Sequence, residues 1–280
     1  MDTRIVHQAG KRFDELPERI AALVAQAAPL VEEVTQLPLP DDLVIRTMTW
    51  RKWHRANSRY NRRALRAEAH KLHPSRPSIA RATGEMKAAR AAMRTQWVGI
   101  GAQTVDFRGQ PEILVLPQAL REAGRLNDER SLLKVFAHEL THVAQWKRTG
   151  DAAWCLARTR FPAERGITDR DYFFLFEGHA YWSDERVTTE VLGAPVPIAE
   201  ISPHSTLRYR ALAESPERAA ELRHVETARD SVSAAISALG LERFNEVWED
   251  RALVPLSSET STTDAWPQRL ADREAEHSRR

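Results

Sequence analysis

Residues 138 to 142 read His-Glu-Leu-Thr-His. On an α-helix, positions i and i+4 share one face, so His138 and His142 present two imidazole nitrogens to a single cation while Glu139 stands beside them. These are the parts of a water-activating metal site, in which the imidazoles bind the ion and the carboxylate takes the proton. Such a site needs a third protein ligand. The apolar run Phe173-Phe174-Leu175-Phe176 delivers Glu177 into what reads as a second buried helix, where a carboxylate is costly unless paired or bound to a cation. Glu177 is therefore the expected third ligand and Zn2+ the expected ion. His179 is the rival, but two positions from Glu177 it lies about 200° round the helix, so the two do not face one ion.

Other residues are candidates for supporting roles. Asp184, seven positions after Glu177 and on the same helix face, is placed to accept a hydrogen bond from a ligand imidazole. A developing oxyanion needs a donor besides the metal, and His179, Tyr181, His204, Tyr209 and His224 are the downstream candidates, among which spacing does not choose.

Two helix histidines followed by a glutamate in a later helix resemble the gluzincin metallopeptidases. The extended metzincin pattern is excluded, because it would need glycine at 145 and histidine at 148, where this chain has Gln145 and Arg148. More narrowly, HELTHVAQ at 138 to 145, LFEGHA at 175 to 180 and GLERFNEVWED at 240 to 250 together resemble an actinobacterial zincin-like family labelled as associated with coenzyme F420 biosynthesis. The likeness runs from about residue 112 to 270, and the family label carries no substrate. It implies zinc-dependent hydrolysis of peptide (amide) bonds in a protein or peptide substrate, with Glu139 as general base. Many thermolysin-like gluzincins carry aspartate four positions after the ligand glutamate, where this chain has Tyr181. The alternative is a catalytically silent, zinc-stabilised binding module.

The elements that must position these residues can be read from periodicity. Leu132, Leu133, Val135, Phe136, Leu140 and Val143 recur at helical spacings and predict a buried metal helix over 129 to 148. A ligand helix is expected over 172 to 190, its small residues at 178 and 180 suiting close approach to the metal helix. Strand-like segments at 97 to 107 and 112 to 116 flank the turn Arg108-Gly109-Gln110-Pro111 and predict a hairpin, with Ile113 and Val115 as candidate substrate-edge residues. Upstream, a helix over 11 to 36 is interrupted by Pro29 and ended by Pro38 and Pro40, and residues 43 to 50 alternate as a short strand. Helices are expected at 52 to 72, 78 to 95, 206 to 239 and 241 to 249. The fold class is α+β, mostly α-helical and zincin-like, with a small antiparallel sheet beside the HExxH helix. The expected organisation is an N-terminal helical region (1 to 96), a metallopeptidase domain (97 to 270) and a flexible tail (271 to 280). The helix over 11 to 36 stands in front of the catalytic helix and could cover the cleft, so the sequence leaves open whether the enzyme is latent.

Composition bounds the setting. With 280 residues, 42% hydrophobic and 29% charged, the chain can bury a sizeable core and is not a disordered one. No apolar run approaches the length of a membrane span, and Met1 to His7 lack the apolar stretch of a secretory signal. The single cysteine, Cys155, forms no internal disulfide and reads as a small buried residue, so a cytoplasmic location is expected. A net charge of +2 hides an asymmetry: between Arg46 and Arg94 fourteen Lys or Arg face two acids, Glu68 and Glu85, so this stretch carries +12 and the remainder −10. With Trp50, Trp53, Tyr60 and Trp97 nearby, the basic stretch suits nucleic-acid contact, unless the acidic remainder neutralises it internally.

Overall fold

Seven side chains, Leu132, Leu133, Phe136, Ala137, Leu140, Val143 and Ala144, are each at most 2% exposed along a single helix, which therefore runs through the centre of the molecule. The computed structural model describes residues 1–107 and 109–277, with 151–157 and 277 described in backbone only. In chain order the elements are β1 (Asp2–Gln8), α1 (Leu16–Thr35), β2 (Asp42–Met48), α2 (Trp50–Leu72), α3 (Arg76–Gln96), β3 (Ala102–Asp106), β4 (Pro111–Val115), α4 (Pro117–Glu122), α5 (Glu129–Arg158), α6 (Tyr172–Leu192), α7 (Leu207–Ala213), α8 (Pro216–Leu239), α9 (Leu241–Phe244) and α10 (Ala265–His277). Helix dominates, with one small sheet, so the class is α+β.

The sheet is mixed, not antiparallel as expected. Its order is β1-β2-β4-β3; β1, β2 and β4 run parallel, and only β3 is antiparallel, as an edge strand. Parallel strands need long crossovers, and α1 and the α2–α3 pair supply them. The sequence displays the hairpin because its turn residues are local: Phe107 N–H donates to Gln110 O at 2.7 Å and Gly109 N–H to Asp106 at 2.8 Å. The crossovers and strand β1 leave no such mark. Residues 1–96 and 97–270 each contribute two strands to this one sheet and share one core.

Helix α1 does not cover the cleft. Ile20, Val24, Ala27 and Val31 bury it in the same core as Phe136 and Leu140. It passes through Pro29 unbroken, because Pro29 and Ala25 lie on the exposed face, where the unbonded carbonyl meets water.

Helix α5 kinks at Gly150, whose φ of 60° and ψ of −148° are not helical. Helix α6 starts where Asp171 accepts from Phe174 N–H at 2.9 Å, and ends at Gly193 in the left-handed region. Gly178 serves a different contact from the one expected. A Cβ there would sit 2.6 Å from Ala228 O, so its smallness lets α6 approach α8 rather than the metal helix. The single helix expected over 206 to 239 is divided into α7 and α8 by Ser215-Pro216, a capping serine followed by proline in the first turn. Helix α10 extends to His277, anchored by buried Trp266 and Leu270, so residues 271–277 of the expected tail continue a helix. Among the described residues no helix is long and apolar enough to cross a membrane.

Candidate metal centre

The first half of α5 places His138, Glu139 and His142 on the face turned toward α6, and α6 brings Glu177 against them. His138 Nε2 lies 3.4 Å from Glu177 Oε2, and His142 Nε2 lies 3.5 Å from Glu177 Oε1. One donor atom from each of these residues falls within 4.8 Å of the others, the one such group found among the described residues.

The outer nitrogens of both rings are occupied. Asp184 Oδ2 is 3.2 Å from His138 Nδ1, and its Oδ1 is 2.5 Å from Lys134 Nζ. Gln145 Oε1 is 2.8 Å from His142 Nδ1, while Gln145 Nε2 donates to Phe176 O at 3.0 Å and to His179 Nδ1 at 3.1 Å. With Nδ1–H donating in each ring, the Nε2 atoms are left to face Glu177, as N–H donors to its carboxylate or as lone-pair donors to a cation held between them.

The electrostatics of the group hold a proton on His138 against an ionised Glu177, a positive charge that a metal cation would replace. Burial opposes charge on His138, but hydrogen bonds to Asp184 and Glu177 outweigh it and carry the pKa up to about 10. Burial also opposes ionisation of Glu177, yet the His142 charge and hydrogen bonds from both histidines hold it well below the usual carboxylate range. Tetrahedral zinc with bonds near 2.0–2.1 Å keeps its ligand atoms roughly 3.3 Å apart, close to the separations seen here. Two imidazoles and a carboxylate with fixed outer hydrogen bonds thus fit zinc in both donor type and spacing.

Glu139 is 6% exposed and does not join the group of His138, His142 and Glu177. Its Oε2 accepts from Thr104 Oγ1 at 2.7 Å, and Thr104 belongs to the edge strand β3. Bonded pairs at Gly101–Leu116 and Phe107–Gln110 fix the alternation of the hairpin, so Ala102 and Thr104 turn their N–H and C=O away from β4. On that side Arg158 Nη2 donates to Thr104 O at 3.1 Å.

A cleft of about 730 Å³ opens over His138, Glu139, His142 and Glu177, bounded by β3, the α2–α3 pair and α8. Tyr181 also lines it, with its ring 4.5 Å from that of His138. Burial first, and then the Glu177 charge, push the Tyr181 hydroxyl up, so it stays protonated.

The remaining candidates separate clearly. His179 is fully buried behind Gln145 among Trp182, Phe244 and Trp248, so it does not reach the cleft as an oxyanion donor. Burial and the His142 charge push it down to about 3, so it is neutral. Tyr209 lines the cleft, His204 lies in a separate depression, and His224 stacks on Phe173 and lies 3.9 Å from Asp171. Ile113 and Val115 are not at a substrate edge: β4 is an interior strand and both are fully buried, leaving β3 as the edge. The Cys155 side chain lies outside the described residues. Sequence reasoning missed Lys134, Gln145 and Thr104. The first two carry a helical signal, one turn before His138 and three residues after His142, whereas Thr104 is brought in only by tertiary packing.

No family model matches the chain, and no curated protein matches it. Among solved structures it is similar to "a putative hydrolase with a novel fold" from Chloroflexus aurantiacus, with a TM-score of 0.56 and 18% identity over 93% of this chain and 92% of the other. That likeness covers the whole architecture and concerns the fold.

Proposed function

We propose that this chain is a zinc-dependent hydrolase of peptide or related amide bonds, of gluzincin type. The observation that carries the reading is the division of labour between two carboxylates. Glu177 converges with two Nε2 atoms, while the buried Glu139 stands beside them on a separate partner, Thr104. A site that only held a metal for stability has no use for the second carboxylate.

His138, His142 and Glu177 would hold the zinc. Zinc bound there supplies Lewis acidity, lowering the pKa of water from 15.7 to about 7 and polarising a substrate carbonyl. Glu139 takes the proton from the attacking water and returns it to the leaving nitrogen. Thr104 fixes Glu139 Oε2 and leaves the other oxygen for that transfer. Tyr181, protonated and lining the cleft, is the donor best placed to meet charge developing on the carbonyl oxygen. The outward N–H and C=O groups of β3 offer an extended protein or peptide substrate a strand to pair with. The resemblance to the zincin-like family supports the same reading, and a cytoplasmic setting is part of the proposal for a chain with one cysteine.

The test is zinc content by elemental analysis, together with hydrolysis of a mixture of internally quenched peptides. Wild type and Glu139→Gln are expected to hold about one zinc per chain and Glu177→Ala little, with hydrolysis only in the wild type. Zinc without hydrolysis in the wild type would favour the silent binding module, and undiminished zinc in Glu177→Ala would remove the proposed ligand set.

A further inference from the structure

Helix α2 carries Arg51, Lys52, Arg55, Arg59, Arg62, Arg63 and Arg66, all exposed. At 100° per residue these seven fall within an arc of about 120°. The opposite side of the helix holds the buried Trp53, His54, Asn57, Ser58 and Leu65. Arg51 to Arg66 spans about 22 Å of helix axis, comparable to six or seven phosphates of one nucleic-acid strand.

The acidic remainder of the chain does not neutralise this stripe. Among the described residues none of the seven lies within ion-pair distance of a carboxylate; Lys52 and Arg62 reach the backbone oxygens of Gln8 and Ser58, and Arg51 and Arg63 lie over the rings of Trp50 and Phe107. The two acids of the α2–α3 pair are engaged elsewhere: Glu68 binds Arg165, and Glu85 lies 3.9 Å from Arg160. Both acids thus dock the pair onto the loop after α5. An uncompensated row of cations is unfavourable for the free protein and calls for a polyanionic partner.

We propose that the α2 stripe binds the phosphate backbone of nucleic acid without reading sequence. Six of the seven cations are arginine, whose planar fork suits phosphate oxygens. An anionic membrane fits less well, because the basic arc carries no apolar side chain larger than alanine to enter the lipid. The inference is independent of the hydrolytic reading.

The experiment is fluorescence anisotropy of a labelled 20-base-pair duplex DNA titrated with the full chain at several salt concentrations. The comparison variants are Arg55→Gln/Arg59→Gln/Arg62→Gln/Arg66→Gln and the matching fourfold lysine variant, with thermal midpoints checked for both. Wild type is expected to bind more tightly than about 10⁻⁴ M at low salt, with an affinity that falls steeply as salt rises. The glutamine variant is expected to lose at least tenfold, with the salt slope reduced by about 3 to 4, while the lysine variant keeps most of the binding. No binding by wild type, equal binding by the glutamine variant, or binding to phosphatidylserine vesicles but not to DNA would overturn the proposal.

Discussion

The hydroxyl of Thr104 donates to Glu139 Oε2 at 2.7 Å, joining the edge strand of the sheet to the carboxylate that lies in sequence between His138 and His142. The strand that offers backbone groups to a substrate therefore also fixes the group that would move the proton. Thr104→Val keeps the shape and removes the donor. Turnover is expected to fall about tenfold, since a hydrogen bond to a charged group is worth roughly 1.5–3 kcal/mol. KM and zinc content should stay near wild type, and Thr104→Ser should recover the rate. Equal rates for Thr104→Val and wild type would show that Thr104 does not position Glu139.

Asp184 supports the centre from behind, accepting from His138 on one oxygen and from Lys134 on the other. Asp184→Asn is expected to weaken zinc binding by about 10–100-fold, the usual consequence of removing an outer hydrogen-bond partner. Lys134→Met leaves the Asp184–His138 contact in place and should weaken it less. Competition with a chromogenic chelator measures both, and equal losses would mean that the carboxylate acts through its charge network rather than through His138.

Much of this centre is legible in the sequence. The i, i+4 histidines and the apolar run before Glu177 identify the three residues that converge, because each signal is contained within one helix. Asp184 is legible for the same reason, by heptad spacing from Glu177, and it supplies the outer partner that Tyr181 cannot supply as a carboxylate would. The mixed sheet, Thr104 and Arg158 are not legible, because each depends on segments far apart in sequence. Strands β1 and β2 join through α1, and Thr104 meets Glu139 through packing alone. His179 shows the converse difficulty: its residue type suggests chemistry, yet Phe244 and Trp248, far along the chain, close over it together with Trp182 and bury it completely.

That burial makes His179 a source of acid sensitivity. Its pKa is lowered to about 3 in the fold by burial and then by the His142 charge, against about 6.5 in the unfolded chain. The unfolded state therefore binds the proton more readily, and stability falls as pH drops below about 6.5 and continues to fall toward 3. The single-group contribution is about 2 kcal/mol between pH 6.5 and 5. In metal-free protein, urea midpoints at pH 7 and pH 5 should differ less for His179→Phe than for wild type. An unchanged difference would assign the acid sensitivity to other groups.

Gly178 is a packing constraint that can be tested alone. A methyl group there would meet the main-chain oxygen and carbon of Ala228 at 2.6 and 2.7 Å, which a rotamer change cannot relieve. Gly178→Ala is expected to cost about 1–3 kcal/mol in chemical denaturation, the usual range for overpacking. Ala228→Gly should not rescue it, because the clash is with backbone rather than with the Ala228 side chain.

Arg158 bears on access to the site. The guanidinium donates to the outward carbonyl of Thr104, one of the groups that an added substrate strand would need, and it follows the kink at Gly150 that redirects the end of α5. An extended peptide pairing with β3 must displace that hydrogen bond before it gains its own. Arg158→Ala is accordingly expected to lower KM for extended peptides severalfold while leaving kcat and zinc content near wild type. Substrates too short to reach Thr104 O should show no change. A raised KM for the long peptides would reverse the assignment, making Arg158 part of the substrate's binding surface rather than a competitor for the strand edge.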